Sequence, residues 1–248
     1  MKKLSHFNRL VALFLFILVF VLSSVSSAYA VDTSKDNCNA LRLAHCNIIE
    51  LNTNKYYGAD RPLIIFFPGA GECNSLQNTI GFVRSYELYN DLEVDVIVVA
   101  FRTESFGHQD WRAVSEDLLD FLSDRYYELS DDDRFPVIVD AVSFGGYGGC
   151  YLTDLFMKNS IWVDELNIAD GRWAFCIPID WVEEMALAGT KINVFACPSS
   201  GKISVQTREL IDALDGAYNF YGTVLQTSHG AVLSTAIHEE GLHSEWAY

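Results

Sequence analysis

Ser143 and His229 are the residues whose surroundings best suit them to chemistry. Ser143 lies in Phe135 to Gly149, FPVIVDAVSFGGYGG, where an apolar stretch runs into Ala141-Val142-Ser143-Phe144-Gly145 and then into glycines that open a helix. This is the G-x-S-x-G pattern of a nucleophile elbow, with alanine in place of the first glycine. The turn is so sharp that its flanking residues must be small, and it presents the serine hydroxyl at a helix N-terminus. The plain alternative is a glycine-rich strand-to-helix loop. His229, followed by Gly230, comes after the last candidate strand, at a carboxyl end of the kind where ligands and catalytic groups gather in open α/β sheets. An imidazole there can take a serine proton and return it to a leaving group, because its ordinary pKa is about 6.5.

Attack on a carbonyl creates an oxyanion, which preorganised N–H groups stabilise by about 3 to 4 kcal/mol per donor. Arg61 to Gly71 reads RPLIIFFPGAG, a buried strand ending in a glycine-rich loop. The backbone of Ala70 and Gly71, together with the N–H of Phe144 after the nucleophile, forms the candidate oxyanion hole. A simple Pro-Gly turn is the other reading of this loop.

The elements that must position these groups are visible as short continuous apolar runs: Leu63 to Phe67, Val94 to Phe101, Val137 to Val142, Ala174 to Ile179, Ile192 to Cys197 and, more weakly, Thr223 to Gln226. Runs without alternation predict strands buried on both faces, as in a parallel sheet covered by helices. Between them, Asp110 to Leu129, Gly146 to Lys158, Trp181 to Ala188 and Ser204 to Leu214 carry apolar residues at helical spacing. Alternating strands and helices predict a single α/β domain with right-handed crossovers and a mostly parallel sheet with helices on both faces. The domain is expected over 61–248, after an N-terminal segment, 31–60, with little pattern of its own. Asp140, inside the nucleophile strand, is a buried carboxylate that needs a hydrogen-bond partner, and strand alternation turns it away from Ser143.

From Arg61 onward the chain resembles the α/β-hydrolase family. The resemblance rests on the strand and loop Phe67-Pro68-Gly69-Ala70-Gly71, the strand Val94 to Phe101, the elbow at Ser143, and Ser228-His229-Gly230 late in the chain. It implies a triad in the order serine, acid, histidine, with Ser143 and His229 in the outer positions. The sequence departs from the family at the acid. The loop after the next-to-last strand, Ala196 to Ile203, holds no carboxylate, and Asp180 after the expected strand Trp173 to Ile179 is the nearest candidate. A helix-capping role for Asp180 is the alternative. The ten or so residues between Asp180 and Ile192 leave no room for a large lid.

The first thirty residues read as an address. A short basic start (Lys2, Lys3, Arg9) precedes an apolar run from Leu10 to Leu22 and a small, polar stretch ending Ala28-Tyr29-Ala30. This is the order of a secretory signal peptide cut before Val31. As a helix the apolar run rises about 20 Å, short of the ~30 Å hydrocarbon core, although an uncleaved anchor extended through Val25 is the alternative. All six cysteines follow the expected cut, in a compartment where disulfides persist, and Cys38–Cys46 is the favoured pair. Cys150, Cys176 and Cys197 lie in apolar contexts and read as core filling.

The 248 residues carry a net charge of −16, and the basic start contributes against that trend. So acidic a surface repels phosphate backbones and anionic membranes, so nucleic acid and stable membrane association after signal cleavage are not expected. No C-x-x-C or H-E-x-x-H motif is present, and no metal or cofactor is called for. The expected protein is therefore an extracytoplasmic serine hydrolase that cleaves a small-molecule or acylated carbohydrate ester through an acyl-enzyme. A serine peptidase and a catalytically silent binding protein of the same fold are the alternatives.

Overall fold

The runs of valine, isoleucine and phenylalanine become the centre of a sheet. The structure, a computed structural model, describes residues 39–51, 61–69, 88–89, 92, 94–101, 110–125, 135–171 and 179–246. Its strands are β1 (Asn39–Arg42), β2 (Cys46–Leu51), β3 (Leu63–Phe67), β4 (Asp95–Phe101), β5 (Val137–Val142), β6 (Glu165–Ala169), β7 (Lys191–Ala196) and β8 (Phe220–Val224). They form one eight-stranded sheet in the order β1-β2-β4-β3-β5-β6-β7-β8. The β1–β2 and β2–β4 pairs are antiparallel, and every pair from β4 through β8 is parallel.

Among the described residues five α-helices cover this sheet: α1 (Trp111–Arg125), α2 (Gly145–Lys158), α3 (Ile179–Ala188), α4 (Lys202–Leu214) and α5 (Val232–His238). Side chains alternate along each strand, so the two faces build separate cores. Val137, Val139 and Ala141 of β5 pack with Val114 and Leu118 of α1, Phe156 of α2, Met185 of α3 and Leu210 of α4. Ile138 and Val142 face the other way, toward Leu88, Tyr89 and the α5 residues Val232, Leu233 and Ala236. Each fully buried valine, leucine or isoleucine contributes about 1.5 to 3 kcal/mol, which is why the central runs need no polar alternation. No helix among the described residues is long and apolar enough to cross a membrane.

Two expectations change. The sheet does not start at residue 61, because Asn39–Arg42, its edge strand, and Cys46–Leu51, between that edge and β4, belong to it. Their pattern is weak because β2 carries Asn47 and Glu50 among its apolar residues. The strand expected over 174–179 gives way at its end, since Ile179 opens α3, and residues 172–178 lie outside the described residues. Among the described residues the strand before α3 is β6. Cys46 is fully buried among core residues of β2, and Cys38 lies outside the described residues, so their pairing remains an expectation.

Candidate active site

At the carboxyl end of β5 the chain turns into α2 through Ser143, whose φ of 52° is left-handed. A residue with a β-carbon enters that region only at a cost, and it does so where the surrounding structure over-determines it. Glycine is required beside it: a β-carbon on Gly145 would lie 2.7 Å from the carbonyl oxygen of Pro68, in the segment after β3. The elbow is tied to the neighbouring strand by the Ser143 N–H, which donates to Ala169 O at 3.3 Å. Ser143 is thereby held beside Asp170, the residue that follows β6.

His229 begins a short 3-10 turn, His229–Ala231, between β8 and α5. Its Nε2 lies 3.0 Å from Ser143 Oγ, and its Nδ1 lies 2.5 Å from Asp170 Oδ2. A carboxylate at Nδ1 fixes the tautomer that leaves Nε2 free to accept the serine proton, and it stabilises the imidazolium that results. Asp170 has no exposed surface, whereas the His229 side chain keeps 40% of its surface accessible. The carboxylate is thus shielded, whereas the imidazole is partly open to solvent.

Asp170 is held by more than His229. Ser204 Oγ of α4 donates to Asp170 Oδ2 at 2.5 Å, the Cys197 thiol donates to the same oxygen at 3.1 Å, and the Cys197 N–H reaches Oδ1 at 3.4 Å. Burial alone would raise the Asp170 pKa, but the hydrogen bonds from His229, Ser204 and Cys197 outweigh it and hold the carboxyl below its ordinary value. Arg208 Nη1 donates to the carbonyls of Cys197 and Ser199, at 2.5 and 2.9 Å, and so pins the loop after β7.

The expected acid, Asp180, is therefore not the residue at His229. It is an exposed side chain in the first turn of α3, where a carboxylate favourably meets the helix dipole. Asp170 escaped the sequence reading because β6, Glu165–Ala169, contains Glu165 and Asn167 and does not read as an apolar run. The signal that would have found it is Asp170-Gly171 at the end of a short β stretch between the nucleophile helix and α3. Ser143 and His229 are brought together as their positions in the chain suggested. Of the candidate oxyanion donors, Phe144 follows Ser143 in the elbow, while Ala70 and Gly71 lie outside the described residues.

Asp170, Cys197 and His229 also offer the donor types of a metal site, with ligand atoms all within 4.8 Å of one another. Those atoms already meet as hydrogen-bond partners within the site, with Asp170 at the centre. Beside the serine, the rings of Phe144 and Tyr147 lie 6.2 Å apart, and Tyr147 continues to Trp111 of α1 at 6.2 Å, an aromatic flank to the elbow.

No protein-family model and no curated protein sequence matches the chain. Solved structures do. An α/β-hydrolase from Vibrio vulnificus superposes with a TM-score of 0.59 at 15% identity, over 98% of this chain and 95% of that one. Carboxyl esterase 2 from the fungus Tuber melanosporum gives a TM-score of 0.56 at 12% identity, over 92% and 94%. An esterase from Pyrobaculum calidifontis gives 0.55 at 13%, over 92% and 87%. Identities this low speak to architecture, and the strand order, the elbow after β5 and these hydrolase and esterase neighbours agree on it: the chain has the α/β-hydrolase fold.

Proposed function

We propose that this protein is a serine hydrolase that cleaves carboxylic esters through an acyl-enzyme on Ser143. The observation that carries this reading is the continuous chain of hydrogen bonds from Ser143 Oγ through His229 to the buried Asp170. Ser143 Oγ attacks the ester carbonyl while His229 Nε2 takes its proton, and Asp170 stabilises the imidazolium without becoming protonated. The tetrahedral oxyanion is met by the Phe144 N–H and by the loop after β3, the role assigned to Ala70 and Gly71. His229 then returns the proton to the leaving alcohol. In the second half of the cycle it draws a proton from the water that attacks the acyl carbonyl, and passes it to Ser143 Oγ as the acyl–serine bond breaks and the acid leaves.

The alternative of a silent binding protein was prompted by the absence of a carboxylate after the next-to-last strand. Asp170, one strand earlier, removes that motive. Small esters and acylated carbohydrates remain the substrate classes favoured over long lipids, because no large lid is present among the described residues. We further propose export, with cleavage before Val31, on the sequence pattern of residues 1–30.

A fluorophosphonate probe tests the chemistry directly. The expected result is a covalent adduct on Ser143 and hydrolysis of p-nitrophenyl acetate, both lost in Ser143→Ala. An unlabelled, inactive wild type would overturn the hydrolase reading, and faster turnover of a matched anilide than of the ester would favour a peptidase. N-terminal sequencing of exported protein should begin at Val31; an intact Met1 would sink the export proposal.

A further inference from the structure

Below the elbow, on the sheet face away from α1–α4, polar side chains are buried where apolar ones would be ordinary. Asp140 of β5, Asn167 of β6 and Asn193 of β7 stand in register across three parallel strands. Asn167 Nδ2 donates to Asp140 Oδ1 at 2.7 Å, and Asn193 Nδ2 donates to Asn167 Oδ1 at 2.7 Å. Asn193 also reaches Glu165 Oε1 at 3.0 Å, and Lys191 Nζ donates to Glu165 Oε2 at 3.0 Å. The other oxygen of Asp140 takes two donors, the Tyr89 hydroxyl at 2.8 Å and His243 Nε2 at 3.0 Å.

His243 lies in the segment after α5, to which the sequence assigned no role. Leu242 N–H donates to Ala236 O at 3.0 Å, folding this segment back on the helix, and Leu242 itself is buried. His243 has no exposed surface and a left-handed φ of 67°, a conformation kept where the surroundings demand it. Its Nδ1 makes no hydrogen bond among the described residues and faces Glu165 Oε1 at 3.8 Å. Burial would lower its pKa, but the charge and hydrogen bond of Asp140, with Glu165 and Glu245 behind them, outweigh burial and raise it. A buried carboxylate that shares its oxygen with an imidazole in this way is left short of a donor when the imidazole is lost, which disfavours arrangements that separate the two.

The two ends of this pair lead to the two reacting residues. Asp140 is separated from Ser143 only by Ala141 and Val142. His243 is joined to His229 through the 3-10 turn and α5, whose Val232, Leu233 and Ala236 pack with Ile138 and Val142 of the nucleophile strand. We propose that His243 is a positioning residue of the active site: its ring, clamped on the Asp140 carboxylate, fixes the C-terminal segment, and through α5 the turn that carries His229, against the strand that carries Ser143. It touches no reacting atom, and the role rests on the hydrolase chemistry proposed above.

The test compares folded variants in fluorophosphonate labelling of Ser143 and in turnover of p-nitrophenyl acetate. His243→Leu removes the clamp, and His243→Gln keeps a side-chain N–H to offer Asp140. Displacing reacting groups costs rate rather than binding, so His243→Leu should slow labelling and kcat by about tenfold to a hundredfold with KM changed by less than about twofold. His243→Gln should recover most of that loss. A purely structural His243 would lower the melting temperature and leave the labelling rate of folded molecules unchanged. If His243→Leu does not fold, Asp140→Asn takes its place, with slowed labelling expected again. Wild-type labelling rates in the folded variants overturn the positioning role alone, whereas a wild type that takes no label at Ser143 overturns the hydrolase reading and this role with it.

Discussion

Gly145 lies so close to the end of β3 that a β-carbon on it would stand 2.0 Å from Phe67 O and 2.6 Å from the Phe67 carbonyl carbon. Both are backbone atoms, so no rotamer change relieves the clash. Gly145→Ala should push the elbow off β3 and cost about 1 to 3 kcal/mol or more, as overpacking does. A lower melting temperature and weak Ser143 labelling are the expected readouts. Gly230 is the control: no atom of the described residues lies within 4 Å of a β-carbon there, and Gly230→Ala should change stability by no more than about 0.5 kcal/mol.

Exchanging the two candidate acids decides between them. Asp170→Asn should lower kcat by about 10⁴-fold, since the amide favours the wrong imidazole tautomer, while the fold survives. Asp180→Asn, on the exposed first turn of α3, should leave kcat and KM as they are. Steady-state ester kinetics on the two proteins give the answer, and equal activities would mean that Asp170 does not serve His229.

Ser204 supports the acid from α4. Removing a hydrogen bond to a charged group costs about 1.5 to 3 kcal/mol, so Ser204→Ala should lower kcat by about tenfold or more. The pH dependence has a definite sign. The folded Asp170 pKa lies below its ordinary 3.8, so its stabilising contribution is present above that value and is lost as pH falls through the folded pKa. Without Ser204 the folded pKa moves back toward the ordinary value, so the loss should be smaller in total and complete at a higher pH, which the pH dependence of stability of the two proteins would reveal.

Asp95 works in the opposite direction. Buried at the start of β4, it is raised to about 6 by burial first, with Arg61 lowering it and Glu50 raising it further. A carboxyl whose folded pKa exceeds its unfolded one costs stability as pH rises from 3.8 to about 6, and the cost stays constant above that. Asp95→Asn should therefore stabilise the protein by about 1 to 3 kcal/mol at pH of about 7.5 and give little gain at pH of about 4. Urea melts at the two pH values check both halves.

The parts of this fold that were legible in the sequence are those where burial on both faces suppresses alternation. β3, β5 and β7 read directly as apolar runs because each lies inside the parallel sheet. β6 lies there too, yet Glu165 and Asn167 are buried on it by satisfying each other's neighbours, so a hydropathy pattern passes over it. The acid was lost with its strand. Ser143 was visible because the elbow's steric demands leave a local signature, and His229 because of its place after the last strand. Asp170 carries only the faint signal of Asp170-Gly171, and its environment is assembled from Cys197, Ser204 and His229, which are distant in sequence. β1 and β2 were missed because β1 is a four-residue edge strand and β2 carries Asn47 and Glu50 among its apolar residues.

The level alignment of Asp140, Asn167 and Asn193 also bears on how the sheet assembles. Valine and isoleucine make neighbouring strands attractive to each other without telling one alignment from another, because sliding a strand by two residues returns every side chain to its original face. Polar residues break that degeneracy. Slid by two, Asp140 would meet Glu165, another carboxylate, or Ala169, which offers its side chain nothing. Only the native alignment gives each buried polar group its partner, and misaligned sheets would carry unmet charge into the interior. The height at which Ser143 emerges relative to Asp170 is thus encoded one layer down, in the side chains that fix the register of β5, β6 and β7.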